Sequence, residues 1–384
     1  MSIRYIDKDE ELSSVVRHLE STDQIAIDLE FDRNRYRYGF NLCLIQLFDG
    51  EDCHLIDPLS DEIQTEMLFP VLENSGIEKV AFAFQEDHRL LHYIGCRPKN
   101  IFDLRIASQL LNHPPASLTN IVEDVLDVHM GKSSQDSNWF KRPLKQNQIQ
   151  YAAKDVLHLF DLKESLLNSM NGSEIMKWIR EENGAWDQIQ YDGSDINNYI
   201  KEKDKRGLSE TEWHVFKALM TFREEIAESS NRPSYQIFSK KLIYKIIEDP
   251  SSVQNWTEQK GVFRRIKNRH YQNKIQKLIK QVLKEAENLG LSPSAPARKS
   301  PTSEEMNQIN LRKQKIQRAK NEFFGPIKEK ISEDYGNEVS TYLFSNRTIS
   351  EIVMGNNGSL EKYKRDLLNR YASELNLNPE HYLS

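Results

Sequence analysis

Asp28 and Glu30 close a short apolar run, Ile25-Ala26-Ile27. Residues i and i+2 of a strand point to the same face, so the two carboxylates project together. Two acids at the end of a buried strand repel each other and lose hydration unless a cation sits between them. A divalent metal suits such hard oxygen donors. Taken alone, the D-x-E reads more simply as a solvated acid pair. Three more residues enlarge the set. Asp87 follows the apolar run Lys79–Phe84 and opens a helical stretch, where an acid is also favoured by the backbone dipole. Tyr151 and Asp155 stand four apart in a helical pattern, which places phenol and carboxylate side by side on one face. Alone, Tyr151 also reads as a core tyrosine. Several acids gathered around one cavity are unfavourable without a metal to neutralise them.

Elements of two kinds must position these residues. Ile3-Arg4-Tyr5, Gln24–Phe31, Asn41–Phe48, Cys53–Ile56 and Lys79–Phe84 are strand-like runs. The pair Asn41–Phe48 and Cys53–Ile56 flanks Asp49-Gly50 and predicts antiparallel neighbours. Asp7–Ser21 is periodic through Leu12, Val15, Val16 and Leu19, as a helix requires. Helices are also expected over Ile63–Phe69, ending at Pro70, over Glu86–Ile94, and over most of Asp103–Leu167, with loops near Pro114-Pro115 and Gly131–Pro143. The expected fold of this part is α/β, a small mixed sheet covered by helices.

A chain of 384 residues exceeds one ordinary domain. With 38% hydrophobic and 29% charged residues, it reads as globular and not as a membrane or disordered protein. No apolar run approaches the roughly 18 residues that span a bilayer, and the first residues lack a signal-peptide core. Cys43, Cys53 and Cys96 cannot all pair and read as core residues of a reduced, cytoplasmic protein. A net charge of −6 argues against an indiscriminate nucleic-acid coat, though local patches matter more than the sum. A polar segment near Gln188–Arg206 and a Pro/Ser-rich break at Leu291–Ser303 delimit two all-helical regions, the second with a turn at Gly355–Gly358. The expected domains are therefore 1–187, 208–290 and 302–384.

Between Gly261 and Lys284 there is no acidic residue, while Arg264, Arg265, Lys267, Arg269, Lys274, Lys277, Lys280 and Lys284 are basic. Such a patch gives salt-dependent nucleic-acid affinity, unless it is merely a solvated helix face. Arg33, Arg35 and Arg37, interleaved with Tyr36 and Tyr38, suit phosphates and a stacked base, or a solvated loop. His88, His92 and His158 lie near the acids in sequence without a convincing zinc spacing.

The ordered set Asp28-Leu29-Glu30-Phe31, Leu44–Gly50, Glu86-Asp87, the polar loop Lys132–Leu144 and Tyr151-x-x-x-Asp155 resembles the ribonuclease D family, the tyrosine subgroup of the D-E-D-D 3′→5′ exonucleases. Leu29 stands where threonine is common and Phe82 where many relatives have histidine, but every carboxylate is in place. The resemblance implies a ribonuclease H-like sheet and two divalent ions, Mg²⁺ or Mn²⁺. By resemblance, Asp28, Glu30 and Asp155 hold one ion, Asp28 bridges to a second with Asp87, and Tyr151 orients the attacking water. A phenol with a reference pKa of about 10 is a poor general base. The same resemblance offers Lys132, Trp139 and Arg142 as substrate contacts, and Arg35 joins them from the arginine–tyrosine tract. Thr221–Ala227, Asn231-Arg232-Pro233, Ser239–Leu242 and Asp249-Pro250 look like an HRDC module, and 302–384 would match the second such module of the family. The implied activity is release of nucleoside 5′-monophosphates from the 3′ ends of structured RNA such as tRNA precursors. A single-stranded DNA exonuclease and a catalytically silent RNA-binding module are the competing readings.

Overall fold

The computed structural model describes residues 2–131, 136–168, 173–191, 199–294, 303–355 and 360–379. The chain forms two compact units. The larger contains Met1–Glu30, Leu42–Tyr191 and Ser303–Ser384; the smaller contains Phe31–Asn41 and Asp192–Thr302.

Six strands make one mixed sheet: β1 (Ile3–Ile6), β2 (Gln24–Arg33), β3 (Phe40–Phe48), β4 (Cys53–Ile56), β5 (Glu78–Ala81) and β6 (Ile101–Asp103), in the order β1-β4-β3-β2-β5-β6. β3 and β4 pair antiparallel, as their spacing around Asp49-Gly50 predicts. The turn is fastened by Asp49, whose Oδ1 accepts from the N–H groups of Glu51 and Asp52 at 2.8 Å, while Gly50 takes φ +100°, open to a residue without Cβ. β2 lies inside the sheet and runs parallel to β5, with Ala26 opposite Val80. Ile25, Ala26 and Ile27 are fully buried, the pattern of a strand covered on both faces.

The helices of this unit begin with α1 (Asp9–Leu19) and α2 (Phe69–Glu73). α1 carries acids in its first turn, basic residues in its last, and Leu12, Val15 and Leu19 on its buried side. The expected helix ending at Pro70 is corrected: Thr65–Leu68 is a 3₁₀ turn and Pro70 sits in the first turn of α2. Proline there lacks only an N–H that has no intrahelical partner. The expected strand Lys79–Phe84 is shorter, because Ala83 turns into the left-handed region at φ +58° before α3 (Gln85–Tyr93) starts. α4 (Leu104–Leu110), α5 (Leu118–Leu126), α6 (Gln146–Leu157), α7 (Leu159–Leu167) and α8 (Glu174–Gly184) follow. α6 buries Ala152, Ala153 and Val156, and its Gln148 Oε1 reaches back to accept from the Lys145 N–H at 3.2 Å.

The last helical region shares its core with this sheet unit. Trp178 of α8 stacks on Tyr363 at 5.5 Å, and Glu182 binds both the Tyr363 hydroxyl and the Lys364 ammonium at 2.6 Å. The turn of expected residues Gly355–Gly358 lies outside the described residues from Asn356 onward.

In the smaller unit, helices Glu210–Ser229, Lys240–Glu248 and Arg269–Asn288 surround a core of Phe216, Leu219, Trp256 and Ile275. Ser209 and Glu212 form a reciprocal cap, and Ser239 and Asn268 cap the other two helices. The arginine–tyrosine tract belongs to this unit. Asn231 Oδ1 accepts from the Tyr38 N–H at 3.3 Å, and the Tyr235 hydroxyl donates to the Arg35 carbonyl at 3.1 Å. Among the described residues, no helix is long and apolar enough to cross a membrane.

Candidate active site

Strand alternation places Asp28 and Glu30 on one face of β2, and α6 brings Asp155 to them. One carboxylate oxygen from each of the three lies within 4.8 Å of the others. Asp87, in the first turn of α3, joins from the side: Asp28 and Asp87 both accept from the Leu29 N–H. Asp87 Oδ1 is buried and has no hydrogen-bond partner.

Burial and mutual repulsion set the electrostatics. Burial pushes the Asp28 carboxyl well above the usual range, and Asp87, Asp155 and Glu30 add to it. Glu30 is raised by burial and by Asp155 and Asp87. Burial lifts Asp87 to about 7 against backbone N–H groups that favour its charge. Asp155 also rises to about 7 through burial, although the Tyr151 hydroxyl donates to it and favours the anion. Four acids that cannot all ionise alone, one with an orphaned oxygen, fit a site built for divalent cations. All five expected residues, Asp28, Glu30, Asp87, Tyr151 and Asp155, thus meet in one place.

The expected substrate contacts fare differently. Lys132 lies outside the described residues. Trp139 is only 3% exposed and packs on Tyr151, ring centres 6.3 Å apart, so its face is turned to the core. Arg142 is engaged with the protein itself. Its Nε and Nη2 bind the Asp57 carboxylate at 2.5 Å, and its guanidinium also donates to the carbonyls of Trp139, Lys141 and Cys43. Burial pushes the Asp57 carboxyl up, but Arg142 and the Tyr5 hydroxyl outweigh it and hold it below the usual range. Arg142→Ala is therefore expected to destabilise the protein by about 3 kcal/mol in urea unfolding, because it strands a buried carboxylate. Unchanged stability with weakened RNA binding would return Arg142 to a substrate role. Arg35 is exposed, its guanidinium 5.3 Å from the Tyr36 ring centre. His88 is buried against Trp186, with Nδ1 3.1 Å from the Tyr191 hydroxyl, and burial pushes its imidazole down to about 3.

Two acids escape a reading of motifs. Asp32 continues the alternation of Asp28 and Glu30, yet its buried carboxylate accepts from the N–H groups of Arg35, Tyr36 and Arg37 at 3.1 to 3.3 Å. It folds the arginine–tyrosine loop. Asp103 precedes α4 and caps it through the Arg105 N–H at 2.9 Å; an Asp immediately before a helical pattern is the signal that would have found it.

Residues 3–171, which hold the sheet and the carboxylate cluster, match the family described as "3'-5' exonuclease". Ribonuclease D of Desulfotalea psychrophila is 29% identical over 245 residues, covering 63% of this chain and 65% of that protein. Ribonuclease D of Zymomonas mobilis is 31% identical over 230 residues, covering 59% and 58%. Over these spans the chain is similar to the ribonuclease D family. Its matches span about three fifths of those relatives' own length. The crystal structure of Escherichia coli RNase D has the same fold, with a TM-score of 0.64 at 20% identity over 97% of this chain and 99% of that one.

Proposed function

We propose that this protein is a metal-dependent 3′→5′ exoribonuclease. The observation that carries the reading is the convergence of Asp28, Glu30 and Asp155 within one ligand sphere, with the orphaned Asp87 oxygen beside it. Asp28, Glu30 and Asp155 would hold one divalent ion, Mg²⁺ or Mn²⁺, and Asp28 with Asp87 would hold a second. Such ions lower the pKa of the attacking water and stabilise the leaving 3′-oxygen. The chain's own residues do the rest. The carboxylates supply negative charge that the buried site cannot otherwise neutralise, and Tyr151 keeps a hydroxyl beside Asp155, where it orients the attacking water. The products are nucleoside 5′-monophosphates, and the substrates are structured RNAs with a free 3′ end, such as tRNA precursors.

In this reading the chain has an exonuclease domain at 1–187, an HRDC domain at 208–290 and a second HRDC-like helical domain at 302–384, and it works in the cytoplasm, in keeping with three buried cysteines. The helix Arg269–Asn288 supports an RNA-holding role. It buries Ile275, Ile279 and Val282 on one side and exposes Arg269, Lys274, Lys277, Lys280 and Lys284. The names and RNA substrates of ribonuclease D relatives favour RNA over DNA. A 5′-labelled tRNA-like RNA with a 3′ extension and a matched DNA, each incubated with Mn²⁺ and with chelator, test the proposal. Metal-dependent shortening of the RNA alone is expected. Equal shortening of both drops the RNA assignment, and shortening of neither, despite binding, leaves an inactive binding module.

A further inference from the structure

We infer that Asp103 is a positioning residue for Asp87: its buried carboxylate holds the turn that sets where α3 begins and therefore where Asp87 projects. The inference rests on the metal-dependent nuclease reading. Asp87 is the third residue of α3, and Phe84, which precedes the helix, offers no side-chain cap. Ala83 stands in the left-handed region at φ +58°, a conformation disfavoured for a residue with a Cβ. Such a conformation persists where its surroundings over-determine it. Asp103 does so. Its Oδ1 accepts from the Ala83 N–H at 2.8 Å and its Oδ2 from the Phe84 N–H at 3.0 Å. Two residues' N–H groups are thus pinned at the point where the strand becomes a helix, and the His88 N–H closes the first helical bond onto the Phe84 carbonyl at 2.8 Å.

Asp103 is itself fixed. It pairs with Ala81 across β5 and β6, and its N–H donates to Asn183 Oδ1 at 2.7 Å. Asn183 is buried on α8, where its Nδ2 donates to the Ile179 carbonyl at 3.0 Å. The chemistry requires an acid. Three N–H donors, of Ala83, Phe84 and Arg105, converge on two oxygens, so an amide would turn an NH₂ toward one of them.

Capping of α4 is the simpler role, and Asp103→Ser separates the two. Serine still caps α4 but is too short to serve Ala83 and Phe84 as well. The readouts are calorimetric Mn²⁺ binding to the metal-free chain and RNA trimming across Mn²⁺ concentrations, below the onset of melting. Asp103→Ser is expected to weaken one Mn²⁺-binding event by about tenfold or more. The Mn²⁺ needed for half-maximal trimming should shift by the same factor, with RNA affinity unchanged. Ala83→Gly in the same chain should recover much of the loss, because glycine adopts the left-handed turn unaided. A lowered melting temperature with wild-type Mn²⁺ binding and trimming overturns the inference and leaves Asp103 as a cap. If Asp103→Ser does not fold, Asp103→Asn answers the same question, with the same two outcomes. A wild type that neither binds Mn²⁺ nor trims RNA overturns the nuclease reading, and this inference with it.

Discussion

Asp28→Asn is expected to abolish RNA trimming while making the metal-free protein more stable. The substitution keeps the side chain's size and an oxygen able to accept from the Leu29 N–H, but it removes the charge that Asp87, Asp155 and Glu30 all oppose. Asp28 is the acid on which repulsion from all three others converges, so its loss relieves more strain than loss of a peripheral acid. Activity should fall by about 10³-fold or more, the scale on which electrostatic stabilisation of a transition state is lost. Stability in chelator should rise by about 1–2 kcal/mol. RNA affinity should hold, since the contacts that grip the body of the substrate are elsewhere in this reading. Urea unfolding in EDTA, a trimming assay and RNA binding are the three measurements. Retained trimming would falsify the assignment of Asp28, and lowered stability in chelator would show that the carboxylates do not repel as placed.

The second large effect is a reversal of pH dependence by metal. Asp87 and Asp155 titrate at about 7 in the folded chain, against about 3.9 for an unfolded aspartate, and burial is the main cause for both. Between those values the folded chain holds protons that the unfolded chain has released. Their contribution to stability is complete below about pH 4 and falls as pH rises through about 7. Buried His88, lowered to about 3, and His92, lowered to about 4, act in the opposite sense, adding stability as pH rises toward the unfolded histidine value of about 6.5. Above about pH 6.5 the acids are opposed by Lys79, whose ammonium burial lowers to about 8 and which adds stability as pH rises. The chelated protein should therefore lose on the order of 1 kcal/mol between about pH 6.5 and 8.5. Mg²⁺ or Mn²⁺ should restore it most at the alkaline end, where the ligands are ionised. Asp155→Asn should flatten the chelated profile and blunt the metal response. A chelated wild type equally stable at both ends of that range would mean that the acids do not share a site.

Local periodicity determined much of this protein from the sequence alone. The two-residue repeat of a strand put Asp28 and Glu30 on one face, and the four-residue step of a helix put Tyr151 beside Asp155; both relations are backbone geometry and hold wherever the element lies. The antiparallel β3–β4 pair was legible because a short turn leaves the chain no other partner. What only the tertiary structure decided is which equivalent residues find which partners. Asp32 has the same alternation as Asp28 and Glu30, but three loop N–H groups claim it. Arg142 and Trp139 carry phosphate-binding and base-stacking chemistry, yet a buried carboxylate takes one and the core the other. The last helical region reads as a separate body, yet Trp178 and Glu182 give it a common core with the sheet. Asp103 caps the helix it precedes, and strand pairing also brings it to a turn twenty residues upstream. The physical reason is the same throughout. A residue's direction is set by its neighbours in the chain, whereas its partner is set by desolvation: each buried charge or donor takes whichever complement the packed chain brings within reach.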